Sequence, residues 1–209
     1  RFAFYLQGKP VLFDPMGAGK KPFNQQGRHD QEAARRARQE EQAAAAAKLR
    51  AALDQGQRVA LLDWGDPLVY GSWRWLQDFF PPERIRFVPG MSAFNAGAAA
   101  IGRDITCNGL VTISDPFTVL EQGELLDRLA GQGATLCVFM GMPRFAEVMD
   151  ALAASYPADT PARVVLQAGF SQGEREVRST LGQVVERLAR EKEGWLGIIF
   201  VGPCLEHWG

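Results

Sequence analysis

Apolar and polar positions follow two textures along the chain. In the first half, short apolar runs end at Gly, Pro or Asp, and a helical pattern follows. "KPVLFDPM" (9–16) reads as a buried strand and "GAGKKPFNQQGRHD" (17–30) as a polar loop. Residues 31–53 are alanine-rich, charged and free of breakers, which predicts a long helix ended by Gln55-Gly56-Gln57. "RVALLDWG" (58–65) reads as the next strand, and residues 72–80 as a helix stopped by Pro81-Pro82. "IRFVPG" (85–90) is a further strand leading into the small-residue helix of "MSAFNAGAAAIG" (91–102). Continuous apolar strands alternating with helices predict a mostly parallel sheet covered on both faces.

The second half alternates differently. "GLVTIS" (109–114), "ATLCVFMGM" (134–142), "ARVVLQAGF" (162–170) and "GWLGIIFVGP" (194–203) read as strands, "REVRSTLGQVVERLARE" (175–191) runs from strand-like to helical, and "RFAEVMDALAASY" (144–156) is an amphipathic helix. "SDPFT" has turn character and sets a boundary at Ser114–Asp115. The expectation is an α/β protein of two lobes, 1–114 and 115–209, with no internal repeat.

Composition narrows this picture little. Apolar content of 46% and charge of 22% are ordinary for a globular protein. A formal net charge of −1 supplies no field to recruit nucleic acid or an anionic membrane. Cys107, Cys137 and Cys204 lie far apart with no metal-ligand spacing, as expected for reduced thiols in a cytoplasmic protein with no metal site. No window is long and apolar enough to cross a bilayer.

Chemistry concentrates at strand ends. "GAGK" (17–20) fails as a phosphate loop, since Asp14 and Lys21 stand where Gly and Ser or Thr are required. No G-x-S-x-G elbow accompanies the two histidines, so a hydrolase triad is not indicated. "WGDPLVYG" (64–71) reads either as a tight strand-to-helix turn, with Asp66 as cap, or as a ligand loop. Met142 alone reads as core filler. Gly65, Gly90 and Gly141 close three such strand ends, a pattern that suits one shared crevice. Arg28, His29, Arg35, Arg36 and Arg38 read either as a solvated helix face partnered by Glu32, Glu40 and Glu41, or as a rim for a polyanionic substrate.

In this order, "VALLDWGDPLVYGSW", "VPGMSAFNAGAAAIGRDIT", "TLCVFMGM", "VVLQAGFSQGEREVRSTLGQV" and "GIIFVGP" resemble the tetrapyrrole (corrin and porphyrin) methylases, from about residue 58 to 203. The resemblance implies a mixed sheet in the second lobe, a cofactor cleft between the lobes, and a homodimer. It implies S-adenosylmethionine as cofactor, S-adenosylhomocysteine as product, and a tetrapyrrole as substrate. Carried over by position, Trp64, Gly65, Asp66, Ser92, Ala93, Met140, Ala168 and Pro203 are the cofactor-binding residues. Arg28, Arg35, Arg103 and Arg144 are expected to dock the substrate carboxylates; no general base is identified. The family's opening strand and G-x-G-P-G-D loop do not appear, and the expectation is that they precede Arg1.

The function this implies is C-methylation of a precorrin or cobalt-precorrin in cobalamin or related biosynthesis. The second-lobe pattern leans toward the corrin-ring branch that includes the C11-type enzymes. Alternatives are the same fold methylating a protein, peptide or rRNA acceptor, or a module that binds the cofactor without catalysis.

Overall fold

The computed structural model describes residues 4, 6–13, 31–189 and 196–206. They fall into two compact units, Arg1–Gly90 and Met91–Gly209. The division lies at Gly90–Met91 rather than at Ser114–Asp115.

Unit 1 is built on helix α1, Gln31–Asp54, matching the alanine-rich prediction. Ala46, Leu49 and Ala52 form its buried stripe at helical spacing. Glu32 and Arg36, four residues apart, pair at 2.6 Å on the exposed face, worth a few tenths of a kcal/mol. Arg50 donates to the Phe79 carbonyl at 3.1 Å and lies over the Phe80 ring. Leu49, Trp73 and Leu76 form the unit's small core, with Val59, Leu61 and Ile85 packed against it.

The parallel sheet expected here is corrected: among the described residues unit 1 contains no strand. Residues 58–63 alternate between exposed and half-buried, so only one face is covered. A parallel strand needs ladder partners and cover on both faces. The predicted helix over 72–80 is also shorter, a 3-10 turn at Arg74–Asp78. Pro81-Pro82 removes the donors that a longer helix would need.

Unit 2 opens with α2 (Ala93–Ile101), followed by β1 (Val111–Ser114), α3 (Pro116–Glu121), α4 (Gly123–Gly131) and β2 (Thr135–Val138). Then come α5 (Phe145–Ala153), β3 (Pro161–Leu166), β4 (Arg175–Thr180), α6 (Val184–Leu188) and β5 (Gly197–Val201). The five strands make one mixed sheet in the order β1-β2-β5-β3-β4. β1 and β2 are parallel, and β5 runs antiparallel to both β2 and β3. The carboxyl ends of β1, β2 and β3 therefore share one end of the sheet.

Strand periodicity sorts the core between two faces. Leu136, Val138, Val164, Leu166, Ile199 and Val201 face the side covered by α3, α4, α5 and α6. Cys137, Val165, Ile198 and Phe200 face the side that carries α2. Gly97 lets α2 approach closely, since a Cβ there would sit 2.7 Å from Phe200 Cε2 and 3.0 Å from Ile198 Cγ2. Asp115, read from the sequence as part of a boundary turn, caps α3 by accepting from the Thr118 amide at 2.9 Å.

The expectation of three free thiols is also corrected. Cys107 and Cys204 form a disulfide with Cα atoms 5.6 Å apart, within the range such bonds span. Two contacts bring the loop after α2 to the start of β2, which lies beside the end of β5. Thr135 Oγ1 donates to the Ile105 carbonyl at 2.7 Å, and Asn108 Nδ2 to the Gly133 carbonyl at 3.0 Å. Cys137 is free and buried, and burial pushes its thiol well above the usual range.

Candidate functional site

In unit 1 the "DWGDPLVYG" stretch is a compact loop. Gly65 takes φ +75°, and Tyr70 takes φ +56° without being glycine. A Cβ at Gly90 would collide with the Gly65 carbonyl oxygen, so these two predicted loop glycines do meet. Asp66 Oδ1 accepts from the Leu68 amide at 2.8 Å, closing a local Asx turn rather than capping a helix. Trp64 is half exposed.

The carboxylate that ties this loop together is Asp63, which sequence reasoning missed. It accepts from the Trp64 amide at 2.8 Å and from the Ser72 amide at 2.9 Å, spanning the loop's two ends. The acid before Trp64 and the hydroxyl after Gly71 were the available signal. Trp73 Nε1 adds a bond to the Leu62 carbonyl at 3.2 Å.

In unit 2 the predicted residues gather at the carboxyl end of β2 and β3. Met140, two residues past β2, is half exposed and holds φ +54°; Gln167, one past β3, holds φ +49°. Non-glycine residues in this region are uncommon and strained, and they cluster at functional positions. The amides of Met140 and Ala168 make no hydrogen bond to another described residue.

Helix α2 reaches the same end of the sheet. A Cβ at Gly169 would lie 3.2 Å from Ala96 Cβ, in the first turn of α2. Ala93 and Ala168 pack against the same apolar cluster. Ser92 is buried, and its hydroxyl accepts from the Phe94 amide at 3.3 Å as the helix N-cap. Gly141 serves packing: a Cβ there would come 2.6 Å from Ile199 Cδ1. Met142 is buried in the core, as its type suggests.

Pro203 does not join this group. It follows the carboxyl end of β5, which runs the other way. Next to it, Gly202 lies against Ala134 and Thr135 at the start of β2. Arg103 is likewise displaced, since it follows the Gly102 cap at the far end of α2.

Arg144 lies just past β2, at the Met140 end, but its fork is engaged. Nε donates to both Glu147 oxygens at 3.1 and 3.2 Å, and a short Nη2 contact completes the pair. The Glu147 carboxylate holds the guanidinium above its ordinary pKa, and Arg144 holds Glu147 below the usual carboxylate value. Arg35 is exposed on α1; Arg28 lies outside the described residues. Among the described residues no cluster of three or more His, Cys, Asp or Glu could hold a metal.

The mixed sheet and the open amides at two parallel strand ends define the class. It is an α/β protein whose strand ends can offer main-chain donors to a ligand. Residues 10–185 match the family model of Tetrapyrrole (Corrin/Porphyrin) Methylases, and the chain belongs to that family.

Among relatives, the precorrin-4 C(11)-methyltransferase of Pseudomonas aeruginosa is 32% identical over 170 residues, 77% of this chain and 67% of that protein. A Sinorhizobium protein of the same name is 32% identical over 124 residues, 56% of this chain and 49% of its own length. The chain thus spans about half to two thirds of these curated relatives. Among solved structures, a cobalt precorrin-4 methyltransferase of cobalamin biosynthesis aligns with a TM-score of 0.68 at 24% identity, covering 78% of this chain and 71% of that one. Uroporphyrin-III C-methyltransferase from Thermus thermophilus aligns at 0.58 and 22%, covering 78% and 72%. At these identities the structural likeness establishes the fold.

Proposed function

We propose that this protein is an S-adenosylmethionine-dependent C-methyltransferase acting on a precorrin or cobalt-precorrin in cobalamin biosynthesis, as a cytoplasmic homodimer. The observation that carries the reading is the pair of open amides at Met140 and Ala168, at the end of the sheet that helix α2 also reaches. The relatives named for C11 methylation support that ring position. Family likeness supports the homodimer.

The residues present fit this cofactor. Two main-chain donors stand open at strand ends, each followed by a glycine, Gly141 and Gly169, so a flat, polar-edged molecule can approach the backbone. Met140 and Ala168 would hold it through their amides, with Ala93 setting the clearance. By family position, Gly65 and Asp66 are further candidates for cofactor contact, and one oxygen of Asp66 already accepts from the Leu68 amide. When bound, S-adenosylmethionine supplies an electrophilic methyl on a sulfonium for in-line transfer to a nucleophilic ring carbon. The protein's contribution is therefore positioning. A carboxylate-bearing macrocycle would reach Arg144 only by competing with Glu147 for its fork.

A cytoplasmic location carries a consequence. There the Cys107–Cys204 disulfide would stand against a reducing thiol pool.

Calorimetric titration of the protein with S-adenosylhomocysteine, followed by a thermal shift, tests the reading. Micromolar binding with a raised Tm is expected. No heat and no shift would sink it and leave a family member that does not bind the cofactor.

A further inference from the structure

Four consecutive amides follow the last ladder position of β3, and three have acceptors. Gln167 donates to the Leu196 carbonyl at 2.8 Å, and Phe170 to the Gln167 carbonyl at 3.0 Å. Gly169 donates to the carboxylate of Glu174 at 2.6 Å. Only Ala168 has no acceptor among the described residues.

Gln167 at φ +49° and Gly169 at φ +77° flank it. A strained turn persists only where its surroundings over-determine it. The Gln167 side chain lies against Gly173 (φ +88°), where a Cβ would collide with the amide oxygen.

We infer that Glu174 is a positioning residue for methyl transfer. By holding the Gly169 amide, it fixes the 167–170 turn so that the Ala168 amide stays open toward the cofactor. This rests on the cofactor reading proposed above. Glu174 is exposed and five residues from Gly169, so its carboxylate stabilises little of the fold. The hydrogen bond is charge-assisted and short, which suits it to holding a geometry.

The test measures S-adenosylhomocysteine affinity of the wild-type protein, Glu174→Ala and Glu174→Gln, with Tm for each. Glu174→Ala should raise Kd about tenfold, the loss of one charge-assisted hydrogen bond's worth of order, with Tm nearly unchanged. Glu174→Gln keeps an oxygen acceptor and should recover most of the affinity. Amide exchange at Gly169 should speed up in Glu174→Ala and not at Leu166. Gly173→Ala, which displaces Gln167, should weaken binding by a second route.

Wild-type binding with unchanged affinity in Glu174→Ala would overturn the inference and leave the cofactor reading standing. If Glu174→Ala also lowered Tm, Glu174→Gln decides: affinity near wild type upholds the inference, and affinity as weak as Glu174→Ala overturns it. A wild-type protein that does not bind would overturn the cofactor reading and this inference together.

Discussion

Unit 1 and unit 2 carry the same kind of strand signal and answer it differently. Residues 58–63 and 85–88 are as apolar as many strands, yet they alternate between half-buried and exposed and form no ladder. β2 is buried at all four positions, and β3 at five of six. The difference lies in partners. β2 and β3 each border β5, whose Ile199 and Phe200 fill the layers on both faces. An extended segment becomes a strand when a neighbour takes up its amides and helices cover it, and apolar content alone supplies neither.

The sharpest way to break this comparison is at the buried charge of unit 2. Arg163 is 5% exposed and donates to the Leu205 carbonyl at 2.7 and 3.2 Å, with Glu176 3.6 Å away. Burial lowers the guanidinium pKa, against the opposing pull of Glu176. Arg163→Met removes both bonds to the buried Leu205 carbonyl and one of the two cations beside Glu176, Arg178 being the other, and should cost about 3–5 kcal/mol in urea unfolding. A loss below about 1 kcal/mol would mean the pair behaves as a surface one.

Next in size is the Cys107–Cys204 bridge, which joins positions 97 residues apart. Reduction should lower stability by about 2–4 kcal/mol, seen as a fall in Tm with dithiothreitol. Thiol counting on the folded oxidised protein should find Cys137 unreactive, since burial keeps it protonated.

The smallest effect belongs to unit 1. Asp63→Ala removes the acceptor of the Trp64 and Ser72 amides in an exposed loop. It should cost about 1 kcal/mol, read by chemical denaturation. A larger cost would mean the loop organises unit 1 as the sheet organises unit 2.

The sequence made much of unit 2 legible. α2, α5 and all five strands follow hydrophobic period, and the glycines at 97 and 141 sit where core side chains pack closely. Helix α1 was equally plain, because nothing in its 24 residues interrupts it. What was not legible depends on distance in the chain or on backbone angles. Pro203 looked like the other strand ends, but β5 runs antiparallel, and a short apolar run does not reveal its direction. Positive φ at Met140, Gln167 and Tyr70 is invisible in residue type. Asp63 was overshadowed by the more conspicuous Asp66. The disulfide needed the β2–β5 pairing before Cys107 and Cys204 could be seen as neighbours.

On the proposed reading, the open amides at the carboxyl end of β2 and β3 hold the cofactor. Hydrogen–deuterium exchange with and without S-adenosylhomocysteine tests it most directly. Protection at residues 139–141 and 167–169, with Pro203's neighbours unchanged, is the predicted result. Binding without protection at either strand end would contradict it.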